Sequence, residues 1–423
     1  MTTTSRSWTA LFLGISLGSL PAANWSQYRG PNSDGSSPEK IRTNWAAAAL
    51  QPVWKTPMPN GFSAITFGGG EVFTLVTAEV DGAEQEVCEA LDAATGKQLW
   101  TAPLGIAKYD GGGGAGAPGN NGGDGPRSTP SYDDGKVYVY SARMVLKCFD
   151  AKSGRQIWAC DLIKEHAGRN IHWESAASPL VEGELVYVAG GGIGEALLAF
   201  DKKDGHVVWK GQDDGMTQST PTAATILGQR QIIFFTQTGL VAVEPRTGAV
   251  LWRYPFPYRT SSAISPVVSG DIVYCANAYG VGSSACRIAR KDGQFTAEKL
   301  WMNSGDKAGN HWSTPVCRDG FLYGIFDKAK FGSAPLECVE LATGHVRWTQ
   351  PGFGPGGCTL VNGSILVLTD AGDLVLIKAT PEAYTEISRT HVLAGKCWNV
   401  PTISEGRIYA RSTREGVSLD AAP

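Results

Sequence analysis

Long runs of one charge are missing from this chain. Lys+Arg (37) and Asp+Glu (40) nearly balance over 423 residues, for a formal net charge of −3. That leaves no basic stripe to serve as the electrostatic footprint of a nucleic-acid binder. Long helical patterns are also missing, which turns the fold towards strands. No two of the nine cysteines are adjacent, and no C-x-x-C occurs. No paired carboxylates and no Ser/His/Asp arrangement stand out as catalytic machinery. His172 and His311 lack a third candidate ligand for a metal. No catalytic and no metal-binding residue is therefore assigned. The apolar run at residues 8–20 is too short to favour a membrane-spanning helix, so no transmembrane segment is expected. With Arg6 before it and Pro-Ala-Ala after it, residues 1–23 read as a signal peptide cut near Ala22 or Ala23. The expected location is the periplasm or cell envelope.

Glycine (53) and tryptophan (13) are abundant, and they recur together. LDAATGKQLW at 91–100 returns as FDAKSGRQIW (149–158), FDKKDGHVVW (200–209), VEPRTGAVLW (243–252) and VELATGHVRW (339–348). A stretched copy, IARKDGQFTAEKLW, occupies 288–301. An acidic residue that bonds its own backbone two residues on, followed by a glycine free to take positive φ, makes each copy a tight hairpin. The closing tryptophan is suited to packing against a neighbouring sheet.

A second signal precedes each copy. Ser-Thr-Pro or Ser-Pro opens a strand at 128–130, 178–179, 219–221, 265–266 and 313–315, with Val-Pro at 400–401. A strand of the KVYVY type follows. One unit then holds four strands in about 45 residues, the last ending in the tryptophan, which is the pattern of a propeller blade. Weaker units at 62–73 and 357–368 bring the number to eight. The seventh has a degraded last hairpin, with Arg389 near the tryptophan position, and the eighth ends after three strands. Residues 51–56, QPVWKT, carry Trp54 in register and can supply the missing strand. The expected fold is all-β: an eight-bladed β-propeller of four-stranded antiparallel blades over 51–423, closed by an N-terminal strand that completes the last blade. Residues 24–50 read as a segment packed on that body. Cys148 and Cys338 sit where the third repeat has Ala199, so they read as small core residues. Cys275 and Cys286 flank a glycine-rich turn, leaving open either a disulfide across that hairpin or two free thiols. The glycine-rich stretch 105–125 is either a binding loop or a surface insertion too poor in apolar residues to order itself.

These repeats resemble the pyrroloquinoline-quinone-like (PQQ-like) family, whose members are eight-bladed propellers of the form A-x-D-x-x-T-G-x-x-x-W. The resemblance spans about residues 51–420 and implies one of two functions. One is that of the BamB-like scaffold proteins of outer-membrane assembly, which hold no cofactor. The other is that of the quinoprotein dehydrogenases of alcohols and sugars, which hold PQQ and Ca²⁺ on the propeller axis. The chain lacks the adjacent-cysteine disulfide and the long insertions of the dehydrogenases. It also lacks the lipobox cysteine typical of the scaffold lipoproteins.

In such a ring the loops that lead into each first strand gather at one mouth of the central channel. The residues placed there are Arg127, His172, Trp173, Glu174, Gln218, Arg259, Asn310, His311, Trp312, Trp398 and Asn399. Convergent aromatic and polar groups suit a ligand, although a solvent-filled mouth is polar as well. The expected function is an exported, non-catalytic binding or scaffold module for a protein or polymer partner, without a cofactor and acting as a monomer. The alternative is a PQQ-dependent oxidoreductase.

Overall fold

The repeat turn sets the geometry of the chain. In the first copy Asp92 Oδ1 accepts the Thr95 backbone N–H at 2.8 Å and its hydroxyl at 2.7 Å. Asp150 with Ser153 and Glu244 with Thr247 repeat the device. The bond thus reaches three residues on. Asp201, bonded to Lys203 N, keeps the two-residue form expected from the sequence. The glycine that follows has positive φ, as at Gly96 (+69°) and Gly154 (+67°).

Most of these tryptophans lean on the turn of the next blade; Trp252, whose Nε1–H donates to Gln231 Oε1 of its own blade at 2.7 Å, is the exception. Trp100 Nε1–H donates to the Ala151 carbonyl at 2.7 Å, and Trp209 Nε1–H donates to Pro245 at 2.7 Å. A Cβ on Gly154 would lie 2.7 Å from Trp100 Cδ2, and one on Gly205 would lie 2.5 Å from Trp158. The glycine is therefore required twice, for its φ and for the indole laid against it. Trp100 pairs with Ala90, Trp158 with Cys148 and Trp209 with Ala199, and a bulge follows each pair. The small partner makes room for the ring. Because the strand continues past it (Gln98–Ile106 in the first blade), the tryptophan lies near the strand's start and not, as the repeat suggested, at its end. Gly154→Ala is expected to cost about 1–3 kcal/mol, from positive-φ strain plus the clash; denaturant unfolding measures it, and an unchanged midpoint would contradict this account.

A computed structural model describes residues 24–107, 125–306, 309–326 and 334–423. The predicted signal peptide and most of the glycine-rich stretch lie outside these residues. The described strands form eight antiparallel blades of four strands in meander order. The second blade is typical: Ser131–Asp133, Lys136–Tyr140, Val145–Asp150 and Gln156–Asp161, from the axis outward. The stretched fifth copy becomes a long hairpin, Gly282–Lys291 with Gln294–Asn303. The eighth blade takes its outer strand, Gln51–Pro57, from the other end of the chain; it pairs antiparallel with Glu415–Asp420, Trp54 opposite Ser418. The expected closure is present.

The Ser/Thr-Pro signal is a stitch between blades. Thr129 N–H donates to Ser178 Oγ at 2.9 Å, Ser178 N–H to Thr220 Oγ1 at 2.8 Å, and Ser265 N–H to Thr314 Oγ1 at 3.0 Å. A second tier uses a hydroxyl on the first strand, the residue after the proline at Ser131 and Thr222. The Ser131, Thr222 and Thr359 hydroxyls donate to the carbonyls of Pro179, Pro266 and Pro401 in the following blades. The same contact at the ring's closure uses a non-proline carbonyl, Thr402 donating to Ile65 at 2.5 Å.

The seventh blade lacks its tryptophan. Ser388, opposite Leu376, stands at that register, with Arg389 one residue further on, opposite Val375. Trp45, 4% exposed, comes from the N-terminal segment and packs with Leu376, Leu393 and Ile408. The Trp45 N–H donates to Ser388 Oγ, and that hydroxyl donates to the Thr43 carbonyl at 2.6 Å.

Residues 24–44 form a strap across the face that carries the turns after each innermost strand. The Trp25 and Ser26 carbonyls accept from Phe67 N and Tyr132 N, and Gln27 Oε1 accepts from Val181 N. Ser36 and Ser37 run parallel to Leu360 and Val361. Glu39 accepts from Glu405 N and Gly406 N, both at 2.8 Å. Arg29 reaches into the channel, where it is 2% exposed and donates to the Thr314 and Pro315 carbonyls at 3.1 and 3.0 Å.

All nine cysteines are free, and eight are buried. Cys275 pairs with Ser284 and Cys286 with Val273, so the two thiols lie diagonally and the disulfide left open by the sequence does not form.

Candidate binding mouth

The opposite face collects the loops between blades and those joining the second and third strands of each blade. Two groups of side chains meet there. The first is a row of five rings: Phe62, Trp398, Trp312, His311 and Tyr279, with successive centroids 5.1, 4.7, 4.1 and 5.0 Å apart. The three inner rings tilt by 39–40° from one to the next. His311 Nε2 and Tyr279 OH lie 3.0 Å apart, and Trp312 Nε1–H donates to the Pro355 carbonyl at 3.2 Å. The Lys396 ammonium lies 4.5 Å from the Trp398 ring centroid, a cation–π contact.

The second group gathers around blade three. Arg127 Nη1 donates to the Trp173 carbonyl at 2.6 Å, and Gln218 Nε2 donates to the Glu174 carbonyl at 2.8 Å. Ser261 donates to Gln218 Oε1 at 2.5 Å. Glu174 is buried, accepts from Asn170 at 2.5 Å and lies 3.5 Å from Arg143. His172 is exposed and meets Trp173 edge-on at 5.6 Å. The groups adjoin: burial raises the Tyr279 hydroxyl above its usual pKa, and the Arg127 charge opposes that rise.

Glu174 (+61°), Thr260 (+64°) and Tyr279 (+59°) are among the mouth residues other than glycine that hold positive φ. For a bulky aromatic such as Tyr279 this is a true outlier, and backbone strain of this kind concentrates at functional sites.

The structure thus brings together Arg127, His172, Trp173, Glu174 and Gln218 in one group, and His311, Trp312 and Trp398 in the other. Arg259 is exposed beside Gly280. Asn399 is buried, donating to the Arg411 carbonyl at 3.1 Å, while its Oδ1 has no hydrogen-bond partner. Asn310 does not join the mouth surface: it is fully buried, accepting from Tyr274 OH and donating to the Ile325 carbonyl. Sequence reasoning missed Phe62, Tyr279 and Lys396. Tyr279 sits in a loop within a blade, Phe62 in a blade without the proline signal, and Lys396 just outside the counted window.

A bound quinone with calcium would need six to eight oxygen ligands around the ion. Glu174 is engaged by Arg143 and Asn170. Among the described residues, the group of His/Cys/Asp/Glu side chains close enough to share a cation is Asp201, Asp204 and His206, exposed on a hairpin turn of the opposite face. Among the described residues, no cluster of three His, Cys, Asp or Glu side chains able to share a cation lies at the mouth.

A family model described as "Outer membrane protein assembly factor BamB" matches residues 83–350. The outer membrane protein assembly factor BamB of Yersinia pestis is 21% identical over 270 residues, which cover 62% of this chain and 66% of that protein. The chain thus spans just under two thirds of this relative's length. The crystal structure of BamB from Moraxella catarrhalis superposes with a TM-score of 0.59 at 15% identity, covering 88% of this chain and 99% of that one. The quinohemoprotein alcohol dehydrogenase of Comamonas testosteroni gives 0.65 at 13% identity, covering 94% and 80%. At such identities the two structures speak for the fold alone.

Proposed function

Because this chain belongs to the PQQ-like propeller family whose model is described as outer membrane protein assembly factor BamB, we propose that it is an exported, non-catalytic binding module of the cell envelope. It presents its mouth to a protein or polymer partner. The observation that carries this reading is the row of five rings across the mouth. Half-buried aromatic side chains fixed by packing and hydrogen bonds make strong recognition surfaces at low entropic cost. The mouth polar groups mostly hold one another in place. A rigid ring with variable loops suits such a role.

The test uses the purified full chain as bait in envelope extract, beside Trp312→Ala and Trp398→Ala. Both variants are expected to lose the captured partner while keeping the unfolding midpoint within a few degrees. Equal capture by all three proteins would move the working surface away from the mouth, to the blade edges. The quinone reading has its own test: incubation with PQQ and Ca²⁺, followed by an absorbance spectrum and dye-linked alcohol or sugar oxidation. A bound chromophore with turnover would replace the binding reading with the enzyme reading.

A further inference from the structure

The mouth rings lie too close for a flat molecule to enter between them. Centroids 4.1–5.1 Å apart leave no slot, and the 39–40° tilts of the inner rings, with Tyr279 edge-on to His311 at 88°, curve the row into a platform. A puckered ring with C–H bonds on its faces lies on such a surface better than a planar heterocycle does.

Beside the platform, buried polar atoms lack hydrogen-bond partners: Trp398 Nε1, Asn399 Oδ1, Ser313 Oγ and Ser262 Oγ. Asn399, Ser313 and Ser262 are each more than nine-tenths buried. The set holds one donor, one acceptor and two hydroxyls that do either. Buried polar groups are ordinarily satisfied, and a ligand rich in hydroxyls, which both donate and accept, matches this mixture. Two cations border the platform, Lys396 over Trp398 and Arg127 beside the second group. Together they favour an anionic ligand.

We propose that the mouth binds an acidic polysaccharide, with sugar rings on Trp312 and Trp398 and acid groups at Lys396 and Arg127. This rests on the binding reading above and names the class of its partner. Full-length protein is titrated calorimetrically with oligogalacturonate, its methyl ester, a sulfated oligosaccharide and an oligoglutamate of equal charge. One of the two acidic sugars is expected to bind best, about tenfold tighter than the ester, and to weaken as salt rises. Whichever wins identifies the anion as carboxylate or sulfate. Lys396→Gln is expected to weaken the acidic sugar about tenfold and leave the ester unchanged, and Trp312→Ala to weaken both. Lys396 is half-buried at the rim and Lys396→Gln keeps most of its side-chain length, so it tests the proposal even where Trp312→Ala unfolds.

Tighter binding of oligoglutamate would overturn the proposal in favour of an acidic protein. So would an absence of sugar binding, or unchanged affinity in Lys396→Gln. If no sugar binds while mouth variants still lose the captured partner, the binding module stands and the polysaccharide falls. If neither depends on the mouth, both fall.

Discussion

Trp54→Ala is expected to destabilise the protein by about 3–5 kcal/mol, the range for deleting a buried indole. Trp54 is 7% exposed and belongs to the strand that completes the eighth blade. Its Nε1–H donates to the Ala93 carbonyl of the first blade at 2.9 Å, and a Cβ on Gly96 would lie 2.7 Å from its ring. The same side chain thus joins the strand from one end of the chain to the blade that follows. Trp54→Phe keeps much of the packing and loses only the N–H bond, so it is expected to cost less. Denaturant unfolding of both variants decides the matter. A loss below 1 kcal/mol for the alanine variant would mean that the ring does not depend on this joint.

Arg29→Ala carries the second large effect, also about 3–5 kcal/mol, because it strips several buried carbonyls of a charged donor at once. Arg29 donates to the carbonyls of Ser33, Asp34, Thr314 and Pro315, tying both the strap and the channel wall to one guanidinium. Burial pulls its pKa below the usual arginine value, with the carbonyls as its partners. Arg29→Lys is expected to restore little, since a single ammonium cannot span the set that a planar fork reaches. Limited proteolysis offers a second readout: cleavage within 24–44 should quicken in the alanine variant. Wild-type stability together with unchanged cleavage would show that the strap is held by its other contacts.

The hairpin repeats carried most of the fold into the sequence. Their Asp-to-Trp pattern records a contact between adjacent blades, because the glycine of one turn and the indole of the preceding blade occupy one another's space. The closing strand was legible for the same reason, since Trp54 keeps the register. Trp45 was harder to place. It fills the gap over Ser388 from 343 residues away, and no local period links the two. The mouth was legible only where loops between blades supply it. Asn310 showed the limit of that rule: its position is right, yet its side chain turns inward to Tyr274 and Ile325. Tyr279 and Lys396 reach the platform by geometry that adjacency along the chain does not encode.

Pairing Gln51–Pro57 with Glu415–Asp420 fixes the order of events in biogenesis. A growing polypeptide emits one half of this clasp long before the other. Until the second half arrives the eighth blade lacks a border, and the strand with Trp54 has nothing to lie against. Closing so long a loop is slow, and an uncovered strand border invites pairing with other chains meanwhile. Such a protein is expected to depend on escort until Glu415–Asp420 arrives, and then to lock all at once.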